Sequence, residues 1–63
     1  MEAKRKAEEL IEEFMNDTTA ESYRKGIVHA IYHVEEVIVL VNDQEVRKYY
    51  FEVLEELKEI KQL

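Results

Sequence analysis

Residues Ile27 to Val41 read IVHAIYHVEEVIVLV, and the fold turns on whether this run is a helix or a strand. Ile27, Ile31, Val34, Ile38 and Val41 recur at alternating steps of four and three, the period of a helix with one buried stripe. The end of the run, Val37 to Val41, is rich in β-branched residues and could form a short extended segment. Helix is the better reading. The stripe continues through the run without a break, and a lone strand would leave its backbone amides and carbonyls unpaired. A second apolar set, Val28, Tyr32 and Val39, falls on another side of the same helix. One stripe can meet the chain's own helices; the second calls for another copy of the chain or a partner.

Polar breaks lie on either side of this central segment. Before it stands Asn16-Asp17-Thr18-Thr19, and Thr18 with Glu21 has capping-box spacing, so a second helix should start near Thr19 and extend to Val41. After it stands Asn42-Asp43, where Asn42 with Glu45 repeats that spacing. The first helix should span about Glu2 to Met15, with Ala3, Ala7, Leu10, Ile11 and Phe14 on its apolar stripe. The third should run close to the C-terminus, with Val46, Tyr50, Val53, Leu57 and Ile60 on its core side. Tyr49 widens that side, Leu54 sits at its margin, and Phe51 points away from it. The expected fold is all-α: one domain over residues 1–63, a three-helix bundle with a short first helix packed on a long antiparallel helical hairpin.

At 63 residues the core is marginal, and the usual staples are missing. There is no cysteine and no proline, and Gly26 is the only glycine. Oligomerisation through the second and third helices is the remaining remedy, with Val28, Tyr32, Val39, Phe51 and Leu54 as the expected interface. The chain carries 15 acidic and 9 basic residues, a net charge of −6, which argues against binding a nucleic-acid backbone. The N-terminal MEAKRKAEEL lacks the apolar core of a secretory leader, and no run reaches a membrane span. A soluble, cytoplasmic protein is the expectation.

The three segments together resemble a group of small helical proteins encoded by prophages and mobile elements of gut-type bacteria. In that group a first helix of the kind KAxxLxxxF precedes one of the kind AxxxAxxxVDEII and a last of the kind YWxEVKxEIxxL. The matching stretches are Lys6 to Phe14, Ala30 to Ile38, and Tyr49 to Leu57, closing at Leu63. Tyr50 stands where the group often has Trp, and Gly26 replaces the usual small residue. The resemblance implies a phage-like accessory protein of the size of counter-defence proteins. Such proteins act by occluding a host protein or by sequestering a signalling nucleotide.

Several clusters could carry binding chemistry. Tyr23, Arg24, Lys25, His29 and Tyr32 are the best set for an anionic, aromatic ligand such as a nucleotide held at a subunit seam. Arg offers a forked phosphate donor and Tyr a stacking surface. The plainer alternative puts Tyr23 in the core and pairs Arg24 and Lys25 with acids of the third helix. His29, His33 and Glu36 share one face, roughly opposite the core stripe, at ligand-like spacing, but H-A-I-Y-H lacks the internal Glu of a metalloprotease helix; a polar outer face is the expectation, with no metal and no cofactor. Arg47-Lys48-Tyr49-Tyr50-Phe51 is a second basic-aromatic string. The glutamates of the third helix read as a solvated face, or as a surface that docks on a host protein together with Phe51, Val39 and Leu40. Catalysis is the poorest reading: there is no cysteine nucleophile, and the single Ser22 has no Gly-rich elbow around it. The expected function is therefore non-enzymatic binding that counters host defence. Nucleotide sequestration leads, direct inhibition of a host protein is the alternative, and a ligand-free structural or regulatory oligomer is the third.

Overall fold

The central run forms one uninterrupted helix. In the computed structural model, which describes residues 2–62, α1 spans Ala3–Phe14, α2 Ala20–Leu40 and α3 Gln44–Gln62. Leu63, the end of the third resemblance stretch, lies outside the described residues. The β-branched run stays helical through Leu40, and Val41 leaves the helix in an extended conformation while its N–H still donates to the Val37 carbonyl at 2.9 Å. No strand occurs among the described residues. The three-residue connection 41–43 turns the chain back along α2, as short helix–helix links do. All three helix pairs are in contact.

The core is drawn evenly from the three elements. Ala7, Leu10 and Ile11 of α1, Ile27, Ala30, Ile31 and Val34 of α2, and Val53, Leu54 and Leu57 of α3 are buried. The stripe expected on α3 holds only in its middle. Tyr50 and Ile60 are half-buried, and Val46 is 40% exposed beside the connection, where α3 begins. Leu54, expected at the margin, is core. The end of α1 approaches α2 closely at Gly26. A Cβ built there would lie 2.8 Å from the Ile11 carbonyl oxygen and 3.1 Å from Met15 Cγ, so the absent side chain is what lets the two backbones meet.

Both caps sit one residue later than the capping-box spacing predicts. Thr19, not Thr18, is the N-cap of α2: its Oγ1 accepts the Ser22 N–H at 3.1 Å. Asp43, not Asn42, caps α3, its Oδ1 accepting the N–H groups of Glu45 (2.9 Å) and Val46 (3.2 Å). The shift at α2 has a cause in the loop. Asp17 Oδ1 accepts both the N–H (2.9 Å) and the hydroxyl (2.6 Å) of Thr19, which orients Thr19 as the cap. Buried Ser22 then accepts the N–H groups of Asn16 (2.8 Å) and Asp17 (3.1 Å), tying the α1–α2 loop onto the first turn of α2. These hydrogen bonds from Thr19 hold the Asp17 carboxyl below the ordinary carboxylate range.

Candidate functional site

Successive residues of a helix are rotated by about 100°, and α1 and α3 occupy the side of α2 carrying Ala30 and Val34. The opposite side carries Lys25, Val28, Tyr32, Glu35, Glu36 and Val39. Its C-terminal half is apolar and open: Tyr32 is 63% exposed, and Val39 and Leu40 are each 77% exposed. Tyr32, Glu35, Glu36, Val39 and Leu40 line one shallow depression there. Val28 is half-buried on the same side. Three large apolar side chains are exposed within nine residues of one helix and share one depression, the kind of grouping that marks a contact surface.

The expected five-residue ligand cluster is not assembled within one chain. All five side chains are exposed; Lys25 and Tyr32 share the outer side of α2 but stand seven residues apart along it, and Tyr23 lies off that side. Tyr32 lines the C-terminal depression, whereas Lys25 lines a polar hollow with Asn16, Asp17, Thr19, Glu21 and Ser22. Tyr23, 42% exposed rather than core, lines a third with Glu12, Met15 and Thr18. Lys25 pairs not with α3 but within its own helix, Nζ lying 3.6 Å from Glu21 Oε1. Arg24 makes no ion pair among the described residues.

The histidines occupy a different environment from the one the spacing suggested. They are not opposite the core; they flank the end of α1, where Phe14 packs against both rings. The Phe14 centroid is 6.1 Å from that of His29, nearly parallel at 27°, and 5.7 Å from that of His33 at 54°. Phe14 is half-buried beside the two imidazoles, and both histidines stay exposed. No group of three His, Asp or Glu side chains among the described residues is placed to hold a metal ion.

The expected interface set divides as well. Tyr32 and Val39 share the α2 depression, whereas Phe51, 49% exposed, lines a separate one on α3 with Gln44, Arg47 and Lys48. Leu54 is only 8% exposed and faces the core, because it joins Val53 and Leu57 in the middle of α3, where both other helices pack; it is not available to a partner. The basic-aromatic string is likewise spent on structure. Arg47 Nη2 donates to the Val41 carbonyl at 2.7 Å, closing the end of α2, while its Nε is buried without a partner. Tyr49 and Tyr50 pack edge to face at 5.3 Å, and burial raises the Tyr49 hydroxyl above its ordinary pKa. Sequence reasoning missed the Phe14–histidine stack and the Arg47 closure. Both are contacts between elements, which periodicity within one element does not encode.

No protein-family model, curated protein or solved structure matches the chain. No helix among the described residues is long and apolar enough to cross a membrane.

Proposed function

We propose that the protein is a small non-enzymatic binding protein that works by surface contact with another polypeptide, through the outer face of α2. The observation that carries the reading is the exposure of Tyr32, Val39 and Leu40 together on that face, edged by Glu35 and Glu36. Apolar side chains ringed by charge are the usual anatomy of a protein-contact patch. In the phage-like setting that the helix motifs suggest, such contact would counter host defence by occluding a host protein. Protein contact is put first because the exposed apolar patch is present in one chain, whereas Tyr23, Lys25 and Tyr32 line three separate depressions and would need a second copy to frame a base and its phosphate.

The test compares the parent chain with a Tyr32→Ser, Val39→Ser, Leu40→Ser variant. All three positions are exposed and outside the core, so the variant should keep its helical fold, as circular dichroism would show. Capture of a partner protein from a bacterial host lysate should be lost in the variant and kept by Phe51→Ser. Equal capture by parent and triple variant would sink the reading. So would a thermal shift of the parent with a panel of cyclic dinucleotides and ADP-ribose species that Arg24→Ala abolishes.

A further inference from the structure

The outer face of α2 has a charge pattern that is complementary to itself when reversed. Counting from Ala30, Arg24 and Lys25 stand six and five residues before it, and Glu35 and Glu36 five and six after it. Val28 and Tyr32 stand two before and two after. All of these side chains are exposed except half-buried Val28. We infer that the outer face of α2 docks on the same face of a second copy, antiparallel, about a two-fold axis at the level of Ala30. The inference rests on the contact-surface reading above and makes a second copy the occupant of that face, so that a foreign polypeptide reaches it only by displacing the copy.

The geometry follows from the helix period. Val28, Tyr32 and Val39 lie along the middle of this face at steps of four and seven, with Lys25 and Glu35 to either side of the line they make. A two-fold axis perpendicular to the helices sets Val28 of one copy against Tyr32 of the other, twice. It also keeps each flank of the helix on its own side. Arg24 and Glu35 share one flank and Lys25 and Glu36 the other, so Arg24 meets Glu35 of the second copy and Lys25 meets its Glu36. Two-fold repetition gives four opposite-charge encounters. The parallel alternative sets Arg24 against Lys25 and Glu35 against Glu36, four like-charge encounters, and antiparallel packing also opposes the helix dipoles favourably. The existing Lys25–Glu21 pair is exposed on both sides and weak, so it does not hold Lys25 back. The 21 residues of α2 make its outer face about 30 Å long, close to the 36 Å length of the molecule.

Sedimentation of the full chain over a dilution series tests this, with circular dichroism to confirm that each variant is folded. The parent should be a dimer that weakens as NaCl rises from 50 to 500 mM. Arg24→Glu with Lys25→Glu should weaken it at least tenfold, and so should Glu35→Lys with Glu36→Lys. An equimolar mixture of those two variants should dimerise, as should the chain carrying all four reversals. The four-fold reversal separates the orientations, because in a parallel pair it would keep like charges opposed. A chain monomeric at millimolar concentration overturns self-docking. If the Tyr32, Val39, Leu40 serine variant then still loses a foreign protein partner, the contact-surface reading survives without it. A dimer indifferent both to the charge reversals and to the serine variant overturns both.

Discussion

Two side chains and one missing side chain carry much of the local determinism of this chain. At Gly26, replacement by Ala would raise helix propensity by at most about 1 kcal/mol. The added Cβ would meet a backbone carbonyl at 2.8 Å, which cannot swing aside as a flexible side chain would. Overpacking costs about 1–3 kcal/mol, so the clash wins and Gly26→Ala should lower stability in urea unfolding; an increase would show that α1 slides freely on α2. Ser22→Ala removes the shared acceptor of two loop amides and should cost about 1–2 kcal/mol in the same assay. Asp17 adds a pH dependence. Its carboxyl is held below the ordinary 3.8 of an aspartate by the Thr19 hydrogen bonds, so the stabilisation is full above about pH 4 and is lost as pH falls through the depressed folded value. Asp17→Asn should flatten the acid limb of a stability-against-pH curve below pH 4; an unchanged limb would remove Asp17 from the cap.

Among the elements, α2 and α3 are well specified by their own sequences and α1 is not. Its first turn carries Lys4, Arg5 and Lys6 and no acid, its last turn has no base, and no side chain caps it. That arrangement opposes the helix dipole, so α1 stands on the burial of Ala7, Leu10 and Ile11. Glu13→Lys, exposed in the last turn, should raise stability by about 0.3–1 kcal/mol, and amide exchange should show α1 opening before α2. At the other end of the molecule, Arg47→Ala should cost about 1.5–3 kcal/mol and speed exchange over residues 37–41, because the Val41 carbonyl loses a charged donor. The same contrast explains what could be read from the sequence. The four-three period of Ile27, Ile31, Val34 and Ile38 set the helix over the β-branched run, and all three helices were legible within a residue or two. The caps slipped by one because the Asp17–Thr19–Ser22 network, and not a capping box, selects the start of α2. Tyr23 stands apart because successive helix residues diverge by about 100°, whereas Lys25 and Tyr32 share one side, as their spacing predicts, and line different hollows because seven residues of helix separate them.

On the scale of the whole molecule, the bundle has little stability to spare. A chain of this size carries about 3–9 kcal/mol in total. Leu57 is fully buried at the meeting of the three helices, and Leu57→Ala should cost about 2–5 kcal/mol. The two quantities overlap, so the variant should be largely unfolded when dilute. If α2 docks on a second copy, that loss is recoverable by mass action, because only folded chains present the paired face. Circular dichroism melts of Leu57→Ala from micromolar to millimolar concentration should then rise in midpoint. The same melts with Glu35→Lys and Glu36→Lys added should not. A midpoint independent of concentration in the parent and in Leu57→Ala alike would mean that the bundle stands alone, with Tyr32, Val39 and Leu40 left to a foreign surface.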